Sequence, residues 1–382
     1  MPKTLRNARD QFDIPDHVAY LNVATMGPLP HAALIAGQEG LARKLHPWTI
    51  TSDDFFADTR RLRPLLAALI NADEKGIAIV PSASYGLATA ARNLKTDGKR
   101  DIVILADQFP SNVYPWQVLA EARDLAIQTV KTQGNETLSD ALLTAITSQT
   151  AIVAIPQVRW TDGIKIDLEA VSARCRSVGA ALVLDLSQSC GAMTFDTARI
   201  QPDFIVCVGY KWLLGPYGMS FMYAAPQHRD GIPIEHNWIT RKGAEDFSNL
   251  IEYQKHYAPG AERYDMGERS NFALLPALEA SVSLLLDWGI PNIENNLAAQ
   301  SAALSDQLQA IGLSVPAATE RGPHYIGATL PASAPSDLVS RLKADDVHVS
   351  QRGNNLRITP HLFNTPTDFE RLIDSLQRHL TP

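Results

Sequence analysis

The chain has 382 residues, 45% of them hydrophobic and 20% charged, the balance of a folded globular protein rather than a disordered one. A net charge of −7 with no long basic run excludes a nucleic-acid footprint. Met1 to Gln11 is polar and charged, and no later run reaches the length of a membrane span, so a cytoplasmic protein without a membrane partner is expected. Cys175, Cys190 and Cys207 lack metal-ligand spacing; they read as buried thiols, and no metal site is expected.

In chain order, YLNVATMGPLP from Tyr20 is a strand-like entry that breaks at Gly27 and Pro28. Residues 32–44 and 53–70 read as helices, the second opening after Ser52 with acids in its first turn. Ile77–Val80, then Pro81-Ser-Ala-Ser-Tyr-Gly and an apolar helix over 87–94, has the order of strand, small-residue loop and helix. Such a join cradles phosphate through free amides and hydroxyls, and it also describes a plain N-cap. Residues 102–106 and 151–155 are further buried strands, leading into Asp107-Gln-Phe-Pro and Gln157-Val-Arg-Trp-Thr-Asp-Gly. Phe109 reads equally as a ring that stacks on a ligand and as core packing. Asp167 caps a helix that Gly179 ends.

Residues 181–184 and 204–208 are short apolar runs with turn residues on both sides, as in the buried strands of a parallel sheet. Asp185 and Lys211 then emerge near carboxyl ends of strands, where open α/β sheets bind ligands. Either residue alone is more often a cap or a solvated charge. Together they suit pyridoxal phosphate chemistry, in which an amine forms a Schiff base with the cofactor aldehyde and a carboxylate keeps the pyridine nitrogen protonated. A strand over 219–224 follows. Leu274 to Trp288 is the most apolar helix, and residues 293–310 form a second. A helix over 337–344, a strand over 347–350 and a last helix opened by Thr365-Pro-Thr-Asp make a small α+β unit.

Asp185, Gln188 and Gly191 in DLSQSCGA, with Gly209-Tyr210-Lys211 and Gly215-Pro216-Tyr217-Gly218, resemble the class V aminotransferase family of fold type I pyridoxal phosphate enzymes. That family includes cysteine desulfurases, selenocysteine lyase, kynureninase, isopenicillin N epimerase and alanine–glyoxylate aminotransferase. The resemblance runs from about Tyr20 to the C-terminal helix. It implies an α/β fold with a large domain over 15–260, built on a mainly parallel seven-stranded sheet, and a small domain over 261–382 on which residues 1–14 pack. It also implies a homodimer.

The same resemblance assigns roles to residues. Lys211 carries the cofactor, pyridoxal 5′-phosphate; Asp185 holds its pyridine nitrogen and Gln188 its ring hydroxyl. Phe109 takes the place of a stacking His, Ala83 and Ser84 that of two phosphate-binding threonines, and Tyr210 reaches the phosphate. Arg357, in LRITPHLFNT, forks onto the substrate α-carboxylate, with Arg352 a second candidate. Asn22 to Thr25, including Ala24, line the site, though a plain strand and turn reads equally well there. Trp160, Val208 and Glu268 depart from the family's Asn, Ser and Thr. Arg269 or the local backbone is expected to replace the last contact, a surface ion pair being the other reading.

The expected reaction is at Cα of a small amino acid, after it displaces Lys211 from the cofactor and the freed amine becomes the base. Transamination is the first expectation. A β-lyase of the C–S, C–Se or kynureninase kind, an epimerase, and an inert binding protein on the same scaffold are the alternatives. Residues 350–356 contain no cysteine, which disfavours persulfide-forming desulfurization.

Overall fold

Apolar runs bounded by turn residues become the strands of the computed structural model, which describes residues 5–96, 98–134 and 136–380; residues 1–4 of the segment expected on the small domain lie outside these. The strands are β1 (Ala19–Tyr20), β2 (Ile77–Val80), β3 (Asp101–Leu105), β4 (Ala126–Val130), β5 (Thr150–Pro156), β6 (Ala181–Asp185), β7 (Phe204–Val208) and β8 (Ser220–Ala224), then β9 (Ile326–Thr329), β10 (Val347–His348), β11 (Ser350–Arg352) and β12 (Asn355–Ile358). Seven form one sheet in the order β2-β8-β7-β6-β5-β3-β4. β3 to β7 pair in parallel, and β8 runs antiparallel to both β2 and β7. The mainly parallel seven-stranded sheet expected from the sequence is therefore present. Side chains alternate between two apolar layers, Ile77 and Ile79 on one face and Ala78 and Val80 on the other, which is why these strands read as continuous hydrophobic runs.

The C-terminal part carries a separate antiparallel sheet, β11-β12-β9, over a core that includes Leu304, Leu308, Ile326, Leu342, Leu356 and Leu376. Asp167 caps the helix Leu168–Val178 through two amides, and Gly179 ends it in the left-handed region at φ 69°. The last helix, Pro366–Leu380, opens on mutual bonds between Thr365 and Asp368. Among the described residues no single helix is long and apolar enough to cross a membrane.

One N-terminal segment ties the two parts together. The Ala8 amide donates to the Leu362 carbonyl (3.0 Å), and Arg9 pairs with Asp368 (2.9 Å). β1 runs parallel to β10, and Asn22 bridges to Thr359. The chain then crosses to the large sheet, where the Gly27 amide donates to the Tyr210 carbonyl at 2.8 Å. A Cβ on Gly27 would stand 2.1 Å from the Lys211 carbonyl oxygen, so no larger residue allows this crossing.

The outer edge of β2 is closed by a buried ion cluster. The Ile79 amide donates to Asp265 Oδ1 (2.8 Å), and the Met266 amide donates to the Ile79 carbonyl (2.9 Å). Asp265 is fully buried between the guanidiniums of Arg63 and Arg269, and Glu262 takes Arg269 at 2.6 Å. Arg269 is thus neither a surface ion pair nor free for a phosphate; its charge is consumed by two carboxylates and the sheet edge. Removing one partner from such a group strands the other charges in the interior. Asp265→Asn should therefore lower the unfolding free energy by about 3–5 kcal/mol. Urea denaturation checks this, and an unchanged midpoint would mean that solvent reaches the cluster.

Candidate active site

The carboxyl ends of β2, β3, β5, β6 and β7 open onto one cleft, the position where parallel sheets bind ligands. Its walls include Ala83, Phe109, Trp160, Asp185, Gln188, Tyr210 and Lys211. A wider groove around Lys165, Asp167 and Arg199 is lined by no buried titratable side chain.

Lys211 is only 8% exposed, and its amine makes no hydrogen bond or ion pair among the described residues. Nζ lies 5.3 Å from the centre of the Phe109 ring and 5.7 Å from that of Tyr210. Burial pulls its pKa down to about 8; Asp185 opposes the shift, and Arg357 and Arg352 add to it. The supporting loop is rigid. The Gly215 amide donates to the Gly209 carbonyl (2.9 Å), Leu214 takes a left-handed φ of 54°, and the Leu214 carbonyl accepts from buried Ser281 Oγ (2.8 Å).

Asp185 ends β6 with its carboxylate held on one side only. Oδ1 accepts from the Ser187 amide (2.9 Å), while the other oxygen takes no partner among the described residues. Gln188 is fixed at both ends, Nε2 donating to the Ala24 carbonyl (3.0 Å) and Oε1 accepting from Trp212 Nε1 (3.0 Å). One amide hydrogen remains free on Nε2. Ala24 therefore positions Gln188 from behind and does not itself line the cleft.

Phe109 stands on the cleft wall at 37% exposure, edge-on to Trp160 at 5.4 Å, and does not pack in the core. The helix Ala83–Asn93 points its N-terminus at the same cleft. Its cap is Ser82, whose Oγ accepts from the Tyr85 amide (3.2 Å) and lies 2.9 Å from Ser84 Oγ. The first-turn amides have no acceptor within the helix and remain available to an anion. The Tyr210 hydroxyl also has no partner among the described residues, and burial raises its pKa, so it stays a neutral donor.

Arg357 lies behind Trp160, 1% exposed and without a carboxylate. Nε and Nη2 donate to Ser350 Oγ (2.9 and 2.7 Å), Nη2 to Thr25 Oγ1 (2.6 Å) and Nη1 to the Trp160 carbonyl (3.1 Å). Asn22 is one step back, its Oδ1 accepting from Ser350 Oγ at 2.8 Å.

The uncommitted groups around the cleft are an amine, a carboxylate oxygen, a phenol, one amide hydrogen and a helix N-terminus. They match in kind an aldehyde, a ring N–H, a ring hydroxyl and a phosphate, so the residues fit pyridoxal phosphate. Trp160 and Ser350 went unassigned by sequence reasoning, and Thr25 was expected only within the stretch that lines the site. Trp160 looked only like a departure from a pattern, and Ser350 and Thr25 meet across 325 residues with no local signal.

The profile of the aminotransferase class-V family matches residues 42–362. An uncharacterized aminotransferase of Bacillus subtilis, YcbU, is 26% identical over 319 residues, which cover 83% of each chain. A kynureninase of Deinococcus radiodurans is 28% identical over 74% of this chain and 69% of its own. The apo cysteine desulfurase of Thermococcus onnurineus NA1 shares the fold, with a TM-score of 0.84 over 99% of both chains at 19% identity.

The depressed lysine has a consequence for stability. Below pH 8 the amine is protonated in the folded and the unfolded chain alike, and the buried charge is a full penalty. As pH rises from 8 through 10.5 the unfolded chain holds its proton longer, and the penalty is relieved. Lys211→Met should therefore stabilise the cofactor-free protein at pH 7, by on the order of 3 kcal/mol, with the gap closing towards pH 10. Urea midpoints at both pH values test this, and a variant no more stable than the parent at pH 7 would mean a hydrated amine.

Proposed function

The chain belongs to the class V aminotransferase family, its cofactor is pyridoxal 5′-phosphate, and we propose that it transaminates a small amino acid at Cα. When bound, the cofactor supplies an aldehyde that captures a primary amine and a ring that draws electrons from the captured carbon. Lys211 holds the cofactor and, once displaced, is the base for the Cα proton; a pKa near 8 leaves part of its population neutral at cellular pH. The free oxygen of Asp185 keeps a ring N–H in place. Gln188 offers its remaining amide hydrogen to the ring hydroxyl, and Phe109 covers the ring. Ser84, the Ala83 amide and the Tyr210 hydroxyl face the phosphate. Arg357 takes the α-carboxylate, with Asn22 steadying Ser350 behind it.

A single mobile base carries the choice of transamination. Among the described residues lining the cleft there is no histidine, no cysteine and no second lysine. Epimerisation calls for an acid or base on each face of Cα. Elimination is helped by a separate donor to the leaving group. Transamination needs one group that removes the proton and gives it up again, and Lys211 can do both. A β-lyase is the second reading, favoured by the likeness to a kynureninase. Persulfide chemistry is not supported, because the three cysteines are buried and burial pushes the Cys207 thiol well up.

A homodimer belongs to the same proposal. Leu34, Ile35, Leu41, Leu45 and Trp48, on and just after the helix His31–Ala42, are 46% to 78% exposed, and Ile251 and Tyr253 are still more so, at 80% and 93%. So many large apolar side chains in one stretch mark a contact surface. Light scattering should give twice the 41.7 kDa chain mass. Trp48→Glu with Leu45→Glu should shift that mass towards the monomer, and a wild-type monomer would refute the dimer.

Transamination is tested by the visible spectrum of the holoenzyme. An amino acid should bleach the cofactor band and a 2-oxo acid restore it, while Lys211→Ala should lower turnover by at least about 100-fold. Steady release of oxo acid and ammonia without lasting bleaching would favour the lyase instead.

A further inference from the structure

We propose that Arg352 is a second anion-binding residue of this cleft and that the substrate is an acidic amino acid, its side-chain carboxylate held by Arg352 while Arg357 holds the α-carboxylate. The proposal rests on the reading of Lys211 and Arg357 given above.

The placement follows from strand register. β11 and β12 are antiparallel, with Ser350 opposite Arg357 and Arg352 opposite Asn355. Ser350 and Arg352 are two residues apart and share a face, and Arg357 shares it across the pair. Arg352 and Arg357 are therefore diagonal neighbours on one face. Both guanidiniums meet Trp160, their central carbons 5.4 Å and 5.9 Å from its ring centre. They are no farther apart than the sum of those distances, a span that one amino dicarboxylate can bridge.

Like charges at such positions repel. Among the described residues no carboxylate pairs with either arginine to relieve this. Arg357 is held by two hydroxyls and a carbonyl, and Arg352 donates only to the Gln351 carbonyl (2.7 Å). Neither forms an ion pair among the described residues; of the other buried arginines, Arg63 and Arg269 pair with carboxylates, and Arg321 is satisfied by carbonyls and Ser305 Oγ. Stacking on Trp160 explains why one guanidinium rests there; it does not explain two. Arg352 is half-buried and feels Arg357 and the loss of water, both of which favour its neutral form. Lys211 feels both arginines. Lys211 thus lines the cleft and both arginines stand at its Trp160 wall, while the only carboxylate among the described lining residues is Asp185. A cofactor phosphate would be met by the N-terminus of the helix Ala83–Asn93. An α-carboxylate balances Arg357 and leaves Arg352 open to a second anion.

The test is equilibrium binding to the holoenzyme, followed by the change in cofactor absorbance. L-Aspartate is compared with L-asparagine, and L-glutamate with L-glutamine. For at least one pair the acid should bind at least about tenfold more tightly than its amide, since a charge-assisted fork replaces a neutral contact. Arg352→Gln should bring that ratio close to one, weakening the acid far more than the amide. Arg352→Lys, which keeps the charge and loses the fork, should retain part of the preference. Arg357→Gln should weaken acid and amide alike.

Equal binding of acid and amide by the wild type would overturn the proposal. So would a response to neutral amino acids only, a preference that survives Arg352→Gln, or an equal loss of both ligands in that variant. A protein with no cofactor band at all would instead overturn the reading of Lys211, and the proposal with it.

Discussion

A lysine amine buried without a counter-ion in contact is the constraint on which this site depends. Water would hydrate that amine, and a carboxylate within 4 Å would hold it charged. Burial removes much of that hydration and no carboxylate among the described residues pairs with the amine, so its pKa falls to about 8. The fold maintains this expense by rigidity. Lys211 rides on a loop closed between Gly209 and Gly215 and anchored by Ser281 from the helix Leu274–Trp288. The N-terminal crossing at Gly27 lies against its carbonyl. The amine is therefore held in a poorly solvated cleft, where it can be a nucleophile first and a base later.

The groups around Lys211 are fixed by the same means, through contacts that bring distant segments together. Gln188 has one end of its amide on Ala24 and the other on Trp212. His324 adds a third restraint, its Nε2 lying 2.6 Å from the Gln188 carbonyl. Burial lowers the His324 pKa to about 4, so the ring is neutral at pH 7. A carbonyl only accepts, and Nε2 must therefore carry the proton. Gly191, at φ 97°, allows this turn to pack on the Trp212 carbonyl, where a Cβ would come to 2.5 Å. Three segments converge on this residue, two on its side-chain amide and one on its main-chain carbonyl, which is more support than a surface glutamine needs.

Much of this was legible in the sequence, for local reasons. The runs before Asp185 and Lys211 are buried on both faces, so they stand out as apolar stretches, and the two polar residues mark where the strands end. Asp167 with Gly179, and Thr365 with Asp368, announce helix ends because caps act over three or four residues. What was not legible depends on distance or on exposure. β4 is an edge strand with exposed side chains over most of its length, and it carries no apolar signature. The helix Ala83–Asn93 is capped by Ser82, while the resemblance points to Ala83 and Ser84. The cradle of Arg357 is assembled from Ser350 and Thr25, whose spacing in the chain says nothing of their contact.

Arg269 and Arg352 are the instructive pair, since sequence alone offered both as anion binders. The structure separates them by what surrounds each one. Arg269, with Arg63, encloses Asp265 and meets Glu262, so its charge is answered inside the chain and serves to seal the edge of β2. Arg352 and Arg357 face one indole with no carboxylate beside them, and hydroxyls satisfy the donors of Arg357 without cancelling its charge. Placing two like charges together weakens a fold unless something arrives to separate them. A protein keeps such an arrangement where the missing charge comes with the ligand. Arg63 and Arg269 hold this chain together through their carboxylates, and Arg352 beside Arg357 is where it meets an anion from outside.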